Sequence, residues 1–232
     1  MEKLRTEAQK YGIELTAREL ERFNTLLEEL LAGNKKMNLT AIRTPAEIII
    51  KHFLDSLVVT TVIPAETKRL LDLGTGAGFP GLPIKILREN IKVTLLDSVG
   101  KKINYLEETI TKLGLGGIEA LNGRAEDLGQ QKNYREHYDI VTARAVALLP
   151  VLCELALPLV KIGGLFIAQK TVRAEEIASA ENAILELGGK IQEIKKYTLP
   201  GTEERALIII KKVSDTPDNF PRVYNLLTKN PL

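Results

Sequence analysis

The chain has 232 residues, of which 44% are hydrophobic and 27% are charged, and its formal net charge at pH 7 is +2. This composition is typical of a soluble globular protein, and no apolar stretch is long enough to cross a membrane. The single cysteine, Cys153, excludes an internal disulfide, and the N-terminus lacks the apolar core of a signal peptide. We therefore expect a cytoplasmic protein with no metal site, and the small net charge leaves a nucleic-acid partner open.

Two helices are predicted before the first strand. Apolar residues recur at helical spacing over residues 16–31, where Thr16 and Glu19 have the spacing of a capping box and Gly33-Asn34 predicts the helix end. The same periodicity predicts a second helix over residues 45–62, with residues 37–40 joining the two. Together these segments predict a helical extension over residues 1–64.

Strands and helices alternate from residue 69 onward. The predicted strands are 69–73, 92–96, 117–121, 138–142 and 164–169, and the predicted helices are 82–88, 101–113, 149–159 and 174–187. This alternation predicts an α/β fold with a parallel sheet covered on both faces. Two further strands, 190–199 and 206–212, are joined through Pro200-Gly201, which predicts an antiparallel hairpin. We expect one domain over residues 1–232, with an α/β core at 65–213 and a C-terminal tail at 214–232.

The most informative motif lies in residues 70–81, at the switch from the first strand to the next helix. The strand runs into Asp72, and four glycines follow within eight positions: Gly74, Gly76, Gly78 and Gly81. Glycines this dense allow a tight turn and a close approach of the backbone to a ligand. The motif therefore predicts a cofactor pocket.

Two classes of cofactor are compatible with this motif. Gly76, Gly78 and Gly81 have the spacing of a dinucleotide-binding loop, which leaves NAD as an alternative. Asp72, however, would repel a pyrophosphate and attract the ammonium group of S-adenosylmethionine. An Asp followed by Gly-x-Gly-x-Gly resembles the first motif of class I methyltransferases, and a sheet that finishes in an antiparallel hairpin is similar to theirs. S-adenosylmethionine is therefore the predicted cofactor.

The second strand ends on Asp97, which is followed by Ser98 and a predicted helix. A carboxylate at this strand tip can accept hydrogen bonds from both hydroxyls of a ribose. Its position also suits the N-cap of the following helix, so this position alone leaves both interpretations open. The glycine loop beside it favours the ribose interpretation.

The chain is similar over nearly its whole length to the bacterial small-subunit ribosomal RNA methyltransferase G family (RsmG, also called GidB). Besides the glycine loop, the similarity is carried by residues 38–42, 52–57, 97–102, 123–126, 142–145, 220–222 and 230–232. The His-Phe-Leu-Asp-Ser segment at 52–56 and the Ala-Arg-Ala strand end at 143–145 are the most specific of these. The tail departs from the family pattern, because it lacks a glycine and a proline after Arg222.

The resemblance implies a class I, Rossmann-like fold and transfer of a methyl group from S-adenosylmethionine to N7 of a guanine in 16S ribosomal RNA. The substrate would be the free RNA or the small ribosomal subunit, and no obligate protein partner is indicated. N7 carries an unprotonated lone pair at neutral pH, so we predict no general base. The cofactor-binding residues that the resemblance implies are Asp72, Gly74, Gly76, Gly78, Phe79, Asp97, Ser98, Ala125, Glu126 and Arg144.

Several of these side chains have a second interpretation. Glu126 also suits a solvated first-turn acid that the helix dipole stabilises, and an arginine at a strand end, such as Arg144, is often a surface ion pair. His52 would either pack within the helical extension or face the pocket or the RNA, with Asp55 three residues further on. Most lysines and arginines on helices are simply solvated. The predicted RNA contacts are Lys101, Lys102, Arg144 and Arg222.

Four functions are compatible with these patterns. The leading one is an RNA methyltransferase, and the second is a small-molecule methyltransferase on the same fold. An NAD-dependent oxidoreductase and a catalytically silent binding module are the others. Basic residues near the strand tips and the absence of a substantial lid insertion favour RNA over a small molecule. The complete set of cofactor motifs disfavours the silent module.

Overall fold

The computed structural model describes all residues from 1 to 232. Its α-helices are α1 (Glu2–Gln9), α2 (Ala17–Met37), α3 (Pro45–Ile48), α4 (Asp55–Val59), α5 (Gly81–Leu87), α6 (Gly100–Leu113), α7 (Ala125–Gly129), α8 (Leu149–Ala156), α9 (Ala174–Ser179), α10 (Glu181–Glu186) and α11 (Tyr224–Lys229). Its strands are β1 (Arg69–Leu73), β2 (Lys92–Asp97), β3 (Ile118–Asn122), β4 (Tyr138–Arg144), β5 (Val160–Thr171), β6 (Gly189–Thr198) and β7 (Glu204–Lys212). None of the helices is both long enough and apolar enough to span a membrane.

The seven strands form one sheet in the order β3-β2-β1-β4-β5-β7-β6. Strands β1 to β5 pair in parallel, whereas β7 pairs antiparallel with both β5 and β6. The predicted α/β fold, a mostly parallel sheet with a final antiparallel hairpin, is confirmed. Leu73 of β1 is level with Leu96 of β2 and with Ala143 of β4. The residues that follow them in sequence therefore meet at the carboxyl edge, where the strand order reverses and ligands usually bind.

Side chains of the sheet alternate between two apolar clusters, one on each face. Leu70 belongs to a cluster of 38 buried residues that also draws on the N-terminal helices, α5 and α6. Leu71 belongs to a second cluster of 28 buried residues, shared with α8 and α10. Phe23 of α2 and Phe53 are both 0% exposed, and their ring centroids are 5.2 Å apart. The helical extension thus shares one core with the sheet rather than standing apart from it.

Helix α2 begins as predicted but ends later. The Thr16 hydroxyl accepts the Glu19 amide and the Glu19 carboxylate accepts the Thr16 amide, so the capping box is confirmed. The predicted stop at Gly33-Asn34 is wrong, because the helix continues to Met37 and ends at Asn38, which adopts a left-handed φ of 49°. A Cβ on Gly33 would lie 2.8 Å from Tyr105 Cε2. This glycine therefore permits close packing of α2 on α6 instead of ending the helix.

The predicted helix over residues 45–62 is continuous but not uniform. A π-helical turn, Ile49–Leu54, connects α3 to α4, and a 3₁₀ turn, Thr60–Val62, follows. Wide turns of this kind often occur at functional sites. Helices α1, α7 and α11 lie outside the predicted set, because five to eight residues are too few to show a clear apolar period. The predicted helix over 174–187 is interrupted at Ala180 and forms α9 and α10.

Candidate functional site

A cavity of about 200 Å³, here called the strand-tip cavity, lies at the carboxyl ends of β1, β2 and β3. Its wall is completed by Val146 after β4, by Leu155 of α8 and by Tyr224 of the tail. Five residues predicted to bind a cofactor line it: Gly74, Asp97, Ser98, Ala125 and Glu126. The structure therefore brings half of the predicted cofactor residues into one wall.

Two glycines of the loop have different surroundings. Gly74 lines it with a φ of +67°, and a Cβ there would lie 2.6 Å from Val146 Cγ2. Only glycine fits this left-handed position against the loop after β4. Gly78 lies outside the lining with a φ of +96°, and a Cβ there would lie 2.3 Å from Leu82 Cδ1. This glycine permits close packing of the loop on α5, and its predicted approach to a cofactor stays a prediction.

Asp72 does not face the cavity, contrary to its predicted contact with an ammonium group. Its side chain is 0% exposed, and Oδ2 accepts the Thr75 hydroxyl at 2.6 Å and the Gly81 amide at 2.8 Å. Burial raises the pKa of the Asp72 carboxyl to about 6, although these hydrogen bonds oppose the shift. Asp72 therefore holds both ends of the glycine loop against the tip of β1.

Asp97 is 6% exposed, and its carboxylate accepts three hydrogen bonds. Oδ2 accepts the Gly76 amide at 3.0 Å and the Lys102 ammonium at 3.1 Å, and Oδ1 accepts the Val99 amide at 3.0 Å. The interpretation of Asp97 as the N-cap is wrong, because Val99 is the N-cap of α6 and Asp97 only fixes the turn that leads into the helix. An ionised carboxylate has about four acceptor sites, so one stays free, and release of Lys102 would free another. Two acceptor sites are what a pair of ribose hydroxyls requires.

Ala125 and Glu126 begin α7, directly after β3. Glu126 is 8% exposed, and Oε1 lies 3.5 Å from Arg124 Nη1. Its carboxylate is therefore part of the cavity wall, and the interpretation as a freely solvated helix acid is wrong. With Asp97, it gives this wall two carboxylates.

Phe79 faces the helical extension instead of the strand-tip cavity. Its ring is 3% exposed and stacks on His52, with centroids 4.7 Å apart and planes 9° apart. The Arg144 guanidinium carbon lies 5.3 Å from the centroid of the same ring, which is a cation–π arrangement. The Phe79 ring thus links the glycine loop to the π-helical turn, and its predicted cofactor contact stays a prediction.

Asp55 is the centre of a buried polar group that we call the Asp55 cluster, formed by His52, Asp55, Arg144, Tyr197 and Arg205. Asp55 is 1% exposed, and Oδ2 accepts Arg144 Nη1 and Arg205 Nη2, each at 3.1 Å. Its other oxygen, Oδ1, accepts the Tyr197 hydroxyl at 2.7 Å. Arg144 is therefore held by a buried carboxylate, and the interpretation as an ordinary surface ion pair is wrong.

Both ring nitrogens of His52 are engaged. Arg144 Nη2 donates to Nδ1 at 3.0 Å, so the proton lies on Nε2, which is 2.8 Å from the Thr40 hydroxyl. Burial and the charge of Arg144 lower the pKa of His52 from 6.5 to about 3. His52 is neutral at physiological pH and has no lone pair directed at the strand-tip cavity.

A strongly basic surface, here called the basic recess, lies beyond the ends of β4 and β5. Two hollows of about 260 and 290 Å³ share Arg144, Ala145 and Arg205. The cations that line them are Lys51, Arg144, Lys170, Arg173 and Arg205, against the carboxylates of Asp55 and Glu176. The loop 145–148 separates the recess from the strand-tip cavity, and Ala145 has a left-handed φ of 56°. Strain at a non-glycine residue is common beside functional sites.

The other residues predicted to contact RNA differ in whether their side chains are paired with a carboxylate. Lys101 is exposed, whereas Lys102 pairs with Asp97. Arg222 is held by Glu154, because Nη2 lies 2.6 Å from Oε2 and Nε lies 2.8 Å from Oε1. Since Glu154 is 1% exposed, this pair fastens the tail to α8, and Arg222 is not the free cation that the prediction assumed.

Several residues of the site carry no sequence signal. Val146 and Tyr224 line the strand-tip cavity, and Tyr197 and Arg205 belong to the Asp55 cluster. Arg205 lies 150 positions after Asp55 in sequence, and the pairing of β7 with β5 and the packing of α4 on the sheet bring them together. For Tyr224 the divergent tail is the one indirect signal.

His52→Gln should remove a pH dependence from folding stability. The folded protein keeps His52 neutral down to about pH 3, whereas the unfolded chain protonates it near pH 6.5. Stability is therefore lost as the pH falls below 6.5, and this group should cost the wild type about 2 kcal/mol at pH 5 relative to pH 7.5.

Urea unfolding of both proteins at pH 7.5 and pH 5 measures this effect. Asp72 acts in the opposite sense, since its pKa of about 6 in the folded state makes its protonation stabilising as the pH falls from 6 toward 3.8. Both proteins contain Asp72, so the difference between them isolates His52. Parallel pH curves would show that His52 is not held neutral.

Comparison with known proteins identifies the family. A family model described as GidB, rRNA small subunit methyltransferase G, matches residues 19–208. A protein of Lactobacillus delbrueckii subsp. bulgaricus named "Ribosomal RNA small subunit methyltransferase G" is 45% identical over 228 residues, which cover 96% of this chain and 95% of that protein. A Deinococcus radiodurans protein of the same name is 47% identical over an alignment of 237 residues, which covers 100% of this chain and 92% of that protein.

Solved structures share the fold at low identity. An O-methyltransferase from Bacillus cereus, solved in complex with SAH, aligns with a TM-score of 0.58 at 20% identity, over 81% of this chain and 91% of that chain. TYW2 from P. horikoshii, solved in complex with MeSAdo, aligns with a TM-score of 0.56 at 17% identity, over 74% of this chain and 65% of that chain. The sheet is thus that of the Rossmann-like methyltransferases. The motifs of the chain, its fold and the relatives that match it over nearly the whole length agree, and the chain belongs to the rRNA small subunit methyltransferase G family.

Proposed function

We propose that this methyltransferase transfers the methyl group of S-adenosylmethionine to N7 of a guanine in the 16S ribosomal RNA of the small subunit. The observation that carries the proposal is the juxtaposition of a strand-tip cavity that contains two carboxylates and a basic recess, with residues of the loop 145–148 lining both. One compartment suits a cationic nucleoside, and the other suits a polyanion. The names of the relatives support ribosomal RNA as the substrate.

The chemistry of the cavity wall is compatible with S-adenosylmethionine, which supplies an electrophilic methyl group on a sulfonium. Asp97 would accept the ribose hydroxyls, and Ala125 and Glu126 would meet the adenine edge. The backbone at Gly74 would pass close to the methionine end, where a Cβ has no room. Asp97 would serve the ribose of NAD equally well, so what favours S-adenosylmethionine over NAD is the family membership and not this wall.

The basic recess is the proposed site of the RNA. Arg144 and Arg205 are fixed by Asp55, so their guanidinium groups are oriented before any substrate arrives. Arg173 is exposed at the rim, and Lys170 is held by Glu176 and the Ala147 carbonyl, each at 2.6 Å. Arg173 would pair with a phosphate of the RNA, and the fixed guanidinium groups of Arg144 and Arg205 would donate hydrogen bonds to the target nucleotide.

The absence of a free base in this region supports N7 as the acceptor atom. His52 has both ring nitrogens engaged, and Asp55 accepts two arginines and a tyrosine. Transfer to N7 forms an N–C bond from the lone pair and breaks the S–C bond, so no proton has to be removed. The positive charge passes from the sulfonium to the purine. Catalysis would consist of alignment and electrostatic stabilisation.

Methyl transfer to purified 16S ribosomal RNA and to small ribosomal subunits tests this proposal. With labelled S-adenosylmethionine, we expect the labelled methyl group to be incorporated at one guanine. Borohydride followed by aniline should then cleave the RNA chain at that nucleotide, because N7 methylation makes it labile. The Asp97→Ala variant is the control for use of the strand-tip cavity. Labelled RNA that aniline does not cleave would contradict N7 as the acceptor. Failure to label either the free RNA or the small subunit would contradict the proposed substrate.

Lys101→Gln and Lys102→Gln should have separate effects. Lys101 is exposed, so its loss should weaken RNA binding and reduce the slope of log affinity against log salt by about one unit. Lys102 occupies an acceptor site on Asp97, so its loss should leave binding of S-adenosylhomocysteine as tight as in the wild type, or tighter. Salt titrations with RNA and calorimetry with the nucleoside measure the two effects. An unchanged salt slope in Lys101→Gln would show a merely solvated lysine.

We also propose that residues 1–232 form one folding unit, in which the extension over 1–64, the core over 65–213 and the tail over 214–232 depend on one another. The apolar cluster that joins the extension to the sheet supports this proposal. The Arg222–Glu154 pair supports it for the tail.

A further inference from the structure

Tyr224 is the only residue of the C-terminal tail in the wall of the strand-tip cavity. Its ring lies near the end of β3, because the Arg124 guanidinium carbon is 5.8 Å from its centroid and Arg124 directly precedes Ala125 and Glu126. Leu155 of α8 completes this part of the wall. This is the end of the cavity that the proposed function gives to adenine.

The backbone that carries Tyr224 is fixed on both sides. Before it, Phe220 is 3% exposed, and Arg222 is paired with the buried Glu154 at 2.6 Å. After it, Leu227 is 0% exposed within the apolar cluster that includes α8. Tyr224 itself is 41% exposed. An accessible aromatic ring on an anchored backbone is pre-organised for a ligand, because little chain entropy is lost when the ligand binds.

We propose that Tyr224 stacks on the adenine ring of S-adenosylmethionine and closes the adenine end of the cavity. This inference rests on the proposed function and adds a residue to its cofactor site. Stacking of an aromatic side chain on a base depends on the π-face and not on the tyrosine hydroxyl. Tyr224 lies in the part of the tail that departs from the family pattern.

Calorimetric titration with S-adenosylhomocysteine tests the contact. Tyr224→Ala should weaken binding about tenfold, whereas Tyr224→Phe should bind like the wild type because it keeps the ring. Leu226→Ala is the matched control, because Leu226 is on the same helix, is 44% exposed and lies outside the cavity. Unchanged or tighter binding by Tyr224→Ala would overturn the inference, and so would an equal loss in Tyr224→Phe.

A second probe, 5′-methylthioadenosine, identifies the part of the ligand that Tyr224 contacts. It keeps adenine and ribose but lacks the amino-acid portion, so Tyr224→Ala should reduce its affinity by the same factor. A loss seen only with S-adenosylhomocysteine would place Tyr224 at the amino-acid end and overturn the inference. If the wild type bound neither probe, the proposed function would fail as well. Tight wild-type binding with no effect of Tyr224→Ala would overturn the inference alone.

Discussion

Asp55→Ala should destabilise the fold by about 3–5 kcal/mol and remove most of the methyl transfer to RNA. The substitution leaves the Arg144 and Arg205 guanidinium groups without their shared carboxylate, although their side chains are only 11% and 22% exposed. It also removes the acceptor of the Tyr197 hydroxyl. Uncompensated buried charge is among the costliest defects in a folded protein. The measurements are urea unfolding and methyl incorporation below the unfolding range.

Two variants separate the stability effect from the effect on the recess. Asp55→Asn keeps the shape and some acceptor capacity, so it should fall between wild type and Asp55→Ala in both assays. Glu136→Gln is the matched control, because Glu136 pairs at 3.1 Å with the fully buried Lys212 at the opposite edge of the sheet. It should destabilise the protein without reducing methyl incorporation below its unfolding range. An equal loss of methyl incorporation in Glu136→Gln would mean that Asp55 acts through stability alone.

Asp97→Ala should weaken binding of S-adenosylmethionine by about 1–3 kcal/mol, which is roughly 5- to 150-fold in affinity. The ribose hydroxyls would lose their acceptor, and the Gly76 amide would lose the acceptor that holds the glycine loop against β2. The fold should persist, because the residue lies at the tip of one strand and not in the apolar core. Calorimetric titration with S-adenosylmethionine measures the affinity, and circular dichroism shows whether the fold persists.

Asp127→Ala is the control for this substitution, since Asp127 is an exposed carboxylate one position after Glu126 and lies outside the cavity lining. It should bind the nucleoside like the wild type. A folded Asp97→Ala protein with wild-type affinity would leave Asp97 as a support for the start of α6 and nothing more.

The strand tips could be predicted from sequence because their signals are local. An apolar strand that ends in a carboxylate or in glycines shows both the element and its end, and parallel strands bring their carboxyl ends to one edge. Gly74 and Asp97 are brought to one edge of the sheet in this way, and both line the strand-tip cavity. The placement of Glu126 follows from the family resemblance instead. The fold class followed from the same alternation of strands and helices, together with the final hairpin.

The direction in which a side chain faces could not be predicted in the same way. Asp72 precedes the glycine loop and Phe79 lies within it, but the contacts of their side chains are with Gly81 and with His52 of the π-helical turn. Arg222 is held by a carboxylate 68 positions away. These contacts are set by tertiary packing, which a local pattern does not record.

The acceptor atom is the central claim, and a substrate with 7-deazaguanine at the target position tests it most directly. This base keeps the Watson–Crick edge and replaces N7 with carbon, so the lone pair is absent. We expect the RNA to bind with the affinity of the guanine substrate and to accept no methyl group. Continued incorporation into the deaza substrate would contradict the account, because an exocyclic amine or a ribose hydroxyl would then be the acceptor and a base would be required.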